Sequence, residues 1–464
     1  VKPNRFLTIT IKTTLKNISA TPKLVWYGIL ALALIRGLIY ASVVPPWQAP
    51  DEPAQFERAR AALSAQDWVA TSDNPPAWYD QLIRSLFAYD YYDYINGTRQ
   101  AYEPQASINR YLVLYQEAYA DWGGYGSRPA YYAIGWPILL ASHSEVTLQL
   151  YLVRLNMVLM NVGILVFAYL IPKLIFPEDN FLPLGVPIII LFNPQHTHML
   201  STVNNGNLAE LLAIAALYFL VRVVIQGLNG INIGGALFFS LAAMWAKATG
   251  YFLIFVIAGV TLICLWRFRT YWRWFIPLGL ALTAVPIFLA PERLLVLAEM
   301  AWSHLRYGTL YLDPIVPIDL FRSYWAMPGW MILTLHPLWY RLLLISHGLA
   351  LVGLLWLGLK KRHLLTSKPY QKRVQALLVL GLAMVTAVGI LLTWNALTNV
   401  IVYRQGRSIY PAMAAVSLFT VLGWRQLFPA RLRNHGLYLI AGLFFLFDFL
   451  VLFGHIIPLF YSRY

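Results

Sequence analysis

The chain has very little cysteine and very little charge. Only one cysteine occurs in 464 residues, Cys264, and it lies inside an apolar run, which excludes an internal disulfide and a cysteine-based metal site. Charged residues make up 12% of the chain, against roughly 25% in a soluble globular protein, too few to cover a soluble surface of this size. No glycine-rich phosphate loop or dinucleotide-binding unit follows any segment that reads as a strand. No repeat recurs at a fixed period, which argues against a solenoid. These absences exclude a cytosolic enzyme, a secreted disulfide scaffold and a disordered tail protein.

Apolar residue is abundant instead: 59% of the chain is hydrophobic, and the mean hydropathy is +0.59. The apolar residues come in blocks near the 20 residues that a membrane-spanning helix requires. The sequence therefore predicts an all-α polytopic membrane protein with about eleven transmembrane helices. The predicted spans are 24–44, 148–172, 182–202, 207–226, 231–246, 249–266, 274–290, 338–359, 374–395, 409–424 and 436–458. A further apolar stretch, 129–142, is too short to span and reads as re-entrant or interfacial.

The net charge of +15 is unevenly placed. Acid-free basic clusters occur at Lys2–Lys23, at Arg267, Arg269 and Arg273, at Lys360–Arg373, and at Arg425, Arg431 and Arg433. Short basic loops between apolar blocks mark the cytoplasmic face and attract anionic lipid headgroups, so nucleic acid is not an expected partner. Between Val44 and Leu148 the balance reverses, with twelve acids against six bases. The expected division is a basic cytoplasmic N-terminus (1–23), a first span (24–44), an extracytoplasmic loop with amphipathic interfacial helices (45–147), a bundle (148–290), a second outer loop (291–337) and C-terminal spans (338–464). Val-Val-Pro-Pro-Trp is a poor cleavage site, so the first apolar block reads as an anchor in a plasma or inner membrane.

Several polar residues depart from this pattern. Asp51 and Glu52 follow the first span within a proline-stiffened segment (prolines 45, 46, 50 and 53) that holds two carboxylates at the outer membrane surface. Asp51 suits either a helix N-cap or a general base. Arg128, Lys247, Arg404 and Arg407 all fall on the outer side, where the positive-inside pattern does not account for them. Each suits a snorkelling anchor, but four cations facing an acidic loop suggest an anion held between them, with phosphate the obvious candidate. Asn204-Asn205-Gly206-Asn207 is a polar knot between spans, suited to helix capping. His196 and His198 point in different directions on a helix, which disfavours a shared metal. Asp448 is an intramembrane carboxylate with no partner legible in sequence.

Five segments, in order, resemble a family of bacterial polytopic membrane proteins grouped with the GT-C superfamily of lipid-linked-sugar glycosyltransferases. They are Pro45-Pro-Trp-Gln-Ala-Pro-Asp-Glu-Pro-Ala-Gln-Phe56, Arg128-Pro-Ala-Tyr-Tyr132, Thr202-Val-Asn-Asn-Gly-Asn-Leu-Ala209, Ser323-Tyr-Trp-Ala-Met-Pro-Gly-Trp330 and Gln405-Gly-Arg-Ser-Ile-Tyr-Pro411. The chain departs from the family pattern at Gln55, Gly206 and Ser408, where the family usually has His, Asp and Tyr.

The resemblance implies a GT-C-like fold and transfer of a hexose or pentose from a polyprenyl-phosphate donor to a glycan, lipid or protein acceptor at the outer face. By the same implication, Asp51 is the general base and Glu52 orients or assists it. Arg128, Lys247, Arg404 and Arg407 would hold the departing phosphate. Gln55, Tyr131, Asn204, Asn205, Trp325 and Gln405 would line the substrate site. The resemblance fixes no cofactor; a divalent cation such as Mg or Mn at Asp51 and Glu52 is compatible. Two other readings are a lipid-linked-sugar transporter and a non-catalytic glycan-assembly protein that keeps the fold.

Overall fold

The computed structural model describes residues 5–63, 77–89, 91, 128–267, 311–331, 333–361, 367, 370–398 and 404–461, with isolated positions between 268 and 310; side chains before Lys23 are outside the description. The described residues form helices and connecting turns, with no strand among them. Seven helices are long and apolar enough to cross a membrane: 23–43, 146–175, 205–226, 248–267, 337–360, 371–398 and 435–461. Each coincides with a span expected from sequence.

The other expected spans fare differently. The 231–246 block is helix Gly230–Ala246, apolar but short. The 182–202 block is not one helix. It breaks into Phe181–Leu191 and Pro194–Leu200, because Asn193 caps the second piece by accepting from the His196 N–H (2.9 Å) and Pro194 brings no N–H of its own. The 409–424 block starts as a 3₁₀ turn, Gly406–Ala412, and continues as helix Met413–Leu427. The 274–290 span lies outside the described residues.

In chain order, α1 is Arg5–Val43, α2 Glu52–Leu63, α3 Ala77–Ala88, α4 Arg128–Gly135, α5 Val146–Ile175, α6 Phe181–Leu191 and α7 Pro194–Leu200. Then come α8 Asn205–Gln226, α9 Gly230–Ala246, α10 Phe252–Arg267, α11 Ile315–Trp325, α12 Pro337–Lys360, α13 Gln371–Thr398, α14 Met413–Leu427 and α15 Arg433–Val451. α1 stops at Val43 because Val44 precedes two prolines, and a residue before proline is pushed out of the helical region. α8 packs on α9 and α5, and α12 packs on α14. The α12–α14 contact is backbone against backbone. A Cβ on Gly353 would lie 2.0 Å from the Gly423 carbonyl oxygen, and one on Gly423 would lie 2.1 Å from that of Ala350. Small residues allow such an approach, and close packing is what holds helices together in lipid.

Two apolar cores result. The larger lies within the bundle. The second gathers Trp47, Phe56, Tyr79, Leu82, Tyr131 and Ile134 with Val146, Leu150 and Val153 of α5. It seats the loop helices α2, α3 and α4 on one end of the bundle. α4, followed by a 3₁₀ turn over Trp136–Ala141, is too short to span, and Asn156 fixes it to α5 by donating to the carbonyls of Ala133 (3.0 Å) and Ile134 (2.9 Å).

The ends of the bundle differ. At one end, Arg267 donates to the Val224 carbonyl (2.8 Å) and to Gln375, Lys372 donates to the Ile225 carbonyl (3.0 Å), and Arg425 pairs with Asp179. Three of the basic clusters therefore share that end. The loop helices, the Asn204 knot and Lys247 sit at the other.

Candidate functional site

The site begins with backbone strain. Trp47 and Asp51 adopt φ values of 71° and 67°, the left-handed region that L-residues rarely enter, at a cost of order 1–3 kcal/mol each. What holds them there is Glu52. Its side chain is fully buried, and Arg154 of α5 clamps it with two hydrogen bonds, Nε to Oε1 (2.8 Å) and Nη2 to Oε2 (2.6 Å). The same carboxylate accepts the backbone N–H of Trp47 (3.1 Å) and of Val203 (3.0 Å). Arg154 also donates to the carbonyls of Ala41, Val44 and Pro45 at the frayed end of α1. Glu52 thus ties the first span, the loop and the Asn204 knot together. Both of its oxygens are engaged within the protein.

Asp51 is placed differently. Its carboxylate is only partly covered, and Oδ2 accepts a hydrogen bond from Arg407 Nη2 at 2.9 Å, an ion pair between positions 356 residues apart. Asp51 occupies the N-cap position before α2, with its side chain used elsewhere. Its backbone carbonyl accepts the Gln55 N–H (3.0 Å), while its side chain turns to Arg407.

Arg407 is positioned by the fit of the Gln405-Gly406-Arg407 segment against α11. A Cβ on Gly406 would lie 2.2 Å from the Leu320 carbonyl oxygen and 2.5 Å from the Tyr324 nitrogen, and the Gly406 N–H donates to Ser323 Oγ at 2.7 Å. Only glycine fits there. Gln405 Oε1 then accepts from Arg407 Nε (2.5 Å), which orients the guanidinium; Nη1 reaches only the Met199 sulfur, at 3.8 Å.

Lys247 caps the C-terminus of α9, where the chain turns tightly enough that a Cβ on Gly250 would meet the Ala243 carbonyl oxygen at 2.7 Å. Its ammonium donates to Asn204 Oδ1 (3.3 Å) and has no carboxylate partner among the described residues. Burial, reinforced by Arg407 and opposed by Asp51, lowers its pKa to about 8. Asn204 caps α8 through the Gly206 N–H (2.8 Å), and its Nδ2 is buried without a partner among the described residues.

Lys247 and Arg407 line one small, partly open cleft, together with Asn204, Gly206, Glu210 and Ser408. A Cβ on Gly206 would stand 3.2 Å from the Lys247 ammonium, so the missing side chain leaves that cation facing the cleft.

The other expected site residues divide. Gln55 accepts from the Tyr131 hydroxyl (2.8 Å) and from the Asn205 N–H (3.4 Å), so these three form the wall beside Asp51. Arg404 pairs instead with Asp313 (3.0 Å) and is not part of the cleft lining. Trp325 is fully buried among Tyr324, His347 and Phe444, so it supports α11 and does not line a substrate surface. The Arg128 side chain lies outside the described residues. A divalent cation at Asp51 and Glu52 does not fit: Arg154 occupies Glu52, Arg407 occupies Asp51, and among the described residues no three His, Cys, Asp or Glu side chains cluster as ligands.

Three residues escaped sequence reasoning: Arg154, Glu210 and Arg36. Each is an ionisable residue within an apolar span, a signal that was present in the sequence. Arg36 supplies the partner that Asp448 lacked, through Nε at 2.5 Å, and Tyr40 completes the group by donating at 2.8 Å. Glu210 pairs with His196.

All five motif segments are joined to others among them, by hydrogen bonds from Arg407 to Asp51, from the Tyr131 hydroxyl to Gln55, from the Val203 N–H to Glu52 and from the Gly406 N–H to Ser323. No family model matches this chain, and no curated protein or solved structure is similar enough to indicate a relationship.

Proposed function

We propose that the protein is a membrane glycosyltransferase of GT-C type, taking a sugar from a polyprenyl-phosphate donor at the outer face of the membrane. One observation carries the reading: a partly exposed carboxylate, Asp51, stands in direct contact with Arg407, and Arg407 shares a small cleft with Lys247. Two cations on one cleft suit a phosphate, and the neighbouring carboxylate suits a base for the attacking hydroxyl.

In this reading Asp51 takes the proton from the acceptor hydroxyl as its oxygen attacks the anomeric carbon. The bond from that carbon to the phosphate oxygen breaks, and polyprenyl phosphate leaves with the bonding pair. Arg407 and Lys247 stabilise the charge that grows on the departing phosphate. The hydrogen bond from Arg407 aims Asp51, while the Glu52–Arg154 clamp holds its backbone. The polyprenyl chain stays in lipid, so no nucleotide-binding domain is needed.

The test uses purified protein in nanodiscs with a panel of polyprenyl-phosphate sugars and envelope acceptors, following release of polyprenyl phosphate. Wild type should release it, and Asp51→Asn should be slower by about 10²-fold or more while still binding donor. Equal release by both proteins would remove Asp51 from the chemistry.

A further inference from the structure

The cleft also contains a group that a phosphate alone would not want. Glu210 lines it beside Lys247 and Arg407, only 2% exposed, in the second turn of α8. Its Oε1 is held by His196 Nε2 of α7 at 2.7 Å. The imidazole is fixed in turn, with its ring edge-on to Tyr410 at 5.0 Å between centroids. Tyr410 is anchored by donating to the Tyr324 carbonyl (2.9 Å). The second carboxyl oxygen, Oε2, has no hydrogen-bond partner among the described residues, and the residue lines the cleft.

Asn204 adds a second observation. It lines the same cleft, is 2% exposed, and its Nδ2 donors have no partner. A buried amide that is never satisfied is costly, so these donors have a ligand's oxygen to meet. The Ser408 hydroxyl stands on the same lining.

A ligand that was only an anion would meet Lys247 and Arg407 well and be repelled by Glu210. One with only hydroxyls would leave both cations unused. The lining matches a molecule that carries one negative charge and several hydroxyl groups close together. Carboxyl, amide and hydroxyl groups on rigid helices are suited to hydroxyl recognition, because each sugar hydroxyl both donates and accepts.

We propose that Glu210, positioned by His196, is the sugar-reading group of this cleft, accepting hydroxyl hydrogens of the glycosyl unit whose phosphate is held by Lys247 and Arg407. The proposal rests on the glycosyltransferase reading and narrows it: the donor's sugar keeps free hydroxyls on the side that enters the cleft, and analogues lacking them are rejected. A site built to bond a hydroxyl discriminates strongly against its absence, because its own polar groups are then left unpaired.

The experiment measures binding to the intact protein in nanodiscs. The probes are short-chain prenyl phosphodiesters carrying glucose, galactose, mannose or arabinose, with prenyl methyl phosphate as a control of equal charge without sugar hydroxyls. Wild type should bind at least one sugar diester about tenfold or more tightly than the methyl diester. Glu210→Gln should lose that preference while binding the methyl diester at least as tightly as wild type, since the carboxylate that repels it is gone. His196→Gln, which frees the carboxyl from its support, should weaken the preference in the same direction. A merely structural His196–Glu210 pair would lower thermal stability in both variants and leave the preference unchanged, which would overturn the proposal. So would equal binding of sugar and methyl diesters by wild type, with the anion site still standing. Failure of wild type to bind any diester would instead remove the phosphate reading, and this inference with it.

Discussion

At the scale of single residues, the Glu52–Arg154 pair and the Asp51–Arg407 pair have different duties despite their adjacency. The first is fully buried, 0% exposed on both sides, and removing either partner leaves an unpaired charge in the interior. Arg154→Met or Glu52→Gln should therefore destabilise the protein by about 3–5 kcal/mol, read as a lowered Tm in detergent. The double variant should recover part of that loss, because no orphan charge remains. Independent, additive losses would mean the two side chains do not act as a pair.

Lys247 sets a pH dependence at the same scale. Its pKa is lowered from 10.5 to about 8, so above about pH 8 the unliganded protein carries it neutral. An anion needs it charged and draws a proton onto it. Affinity for a phosphodiester should fall as pH rises through 8, while the Arg407 guanidinium keeps binding from vanishing. The linked stability term has the opposite sign: between about 8 and 10.5 the unfolded chain binds the extra proton, so this group's contribution to stability rises with pH. Titrating probe affinity from pH 7 to 10 checks the first statement. Lys247→Met should flatten the curve, and an unchanged curve would show that another group controls it.

At the scale of elements, the contact between α12 and α14 leaves no room for side chains. Gly353→Leu and Gly423→Leu each force a branched side chain onto a facing backbone, for which overpacking costs about 1–3 kcal/mol or more. Gly348, also on α12, has nothing within 4 Å of its would-be Cβ. Gly348→Ala should be neutral or slightly stabilising. Size-exclusion profiles and thermal scans of the three variants decide it; equal behaviour would mean that the helices do not touch there.

The broken 182–202 element shows why a hydropathy window misleads. Phe192, Asn193 and Pro194 sit inside a segment apolar enough to read as continuous, yet Asn-Pro is both cap and break. The freed Asn193 amide reaches the Tyr324 carbonyl at 2.9 Å, joining α7 to α11. That join sets His196 facing Glu210 across to α8. The break is therefore part of how the cleft is built, and it was legible in the Asn-Pro pair.

At the scale of the whole molecule, basic loops gather at one end of the bundle and the cleft lies at the other. From the positive-inside rule we propose that the basic end faces the cytoplasm. With Cys264 replaced by Ser, a cysteine at the exposed His143 position should react with a membrane-impermeant maleimide on intact cells. One at Lys361 should react only after the membrane is opened. The reverse pattern would put the cleft in the cytoplasm and end the outer-face reading.

Composition and block length alone determined that the chain is a helical membrane protein, because spanning helices require long apolar runs whatever their neighbours. They also marked Asp51, Arg407 and Lys247 as misplaced charge, since a polar group beside lipid needs a reason that can be read one residue at a time. Partnership could not be read that way. Which cation meets Asp51, that Arg154 takes Glu52, that Arg404 goes to Asp313 and that Trp325 is core all depend on residues far apart in the chain. Only packing decides those pairs, because an ion pair in a bundle is set by which helix faces lie within 3 Å of each other, and no local pattern encodes that distance.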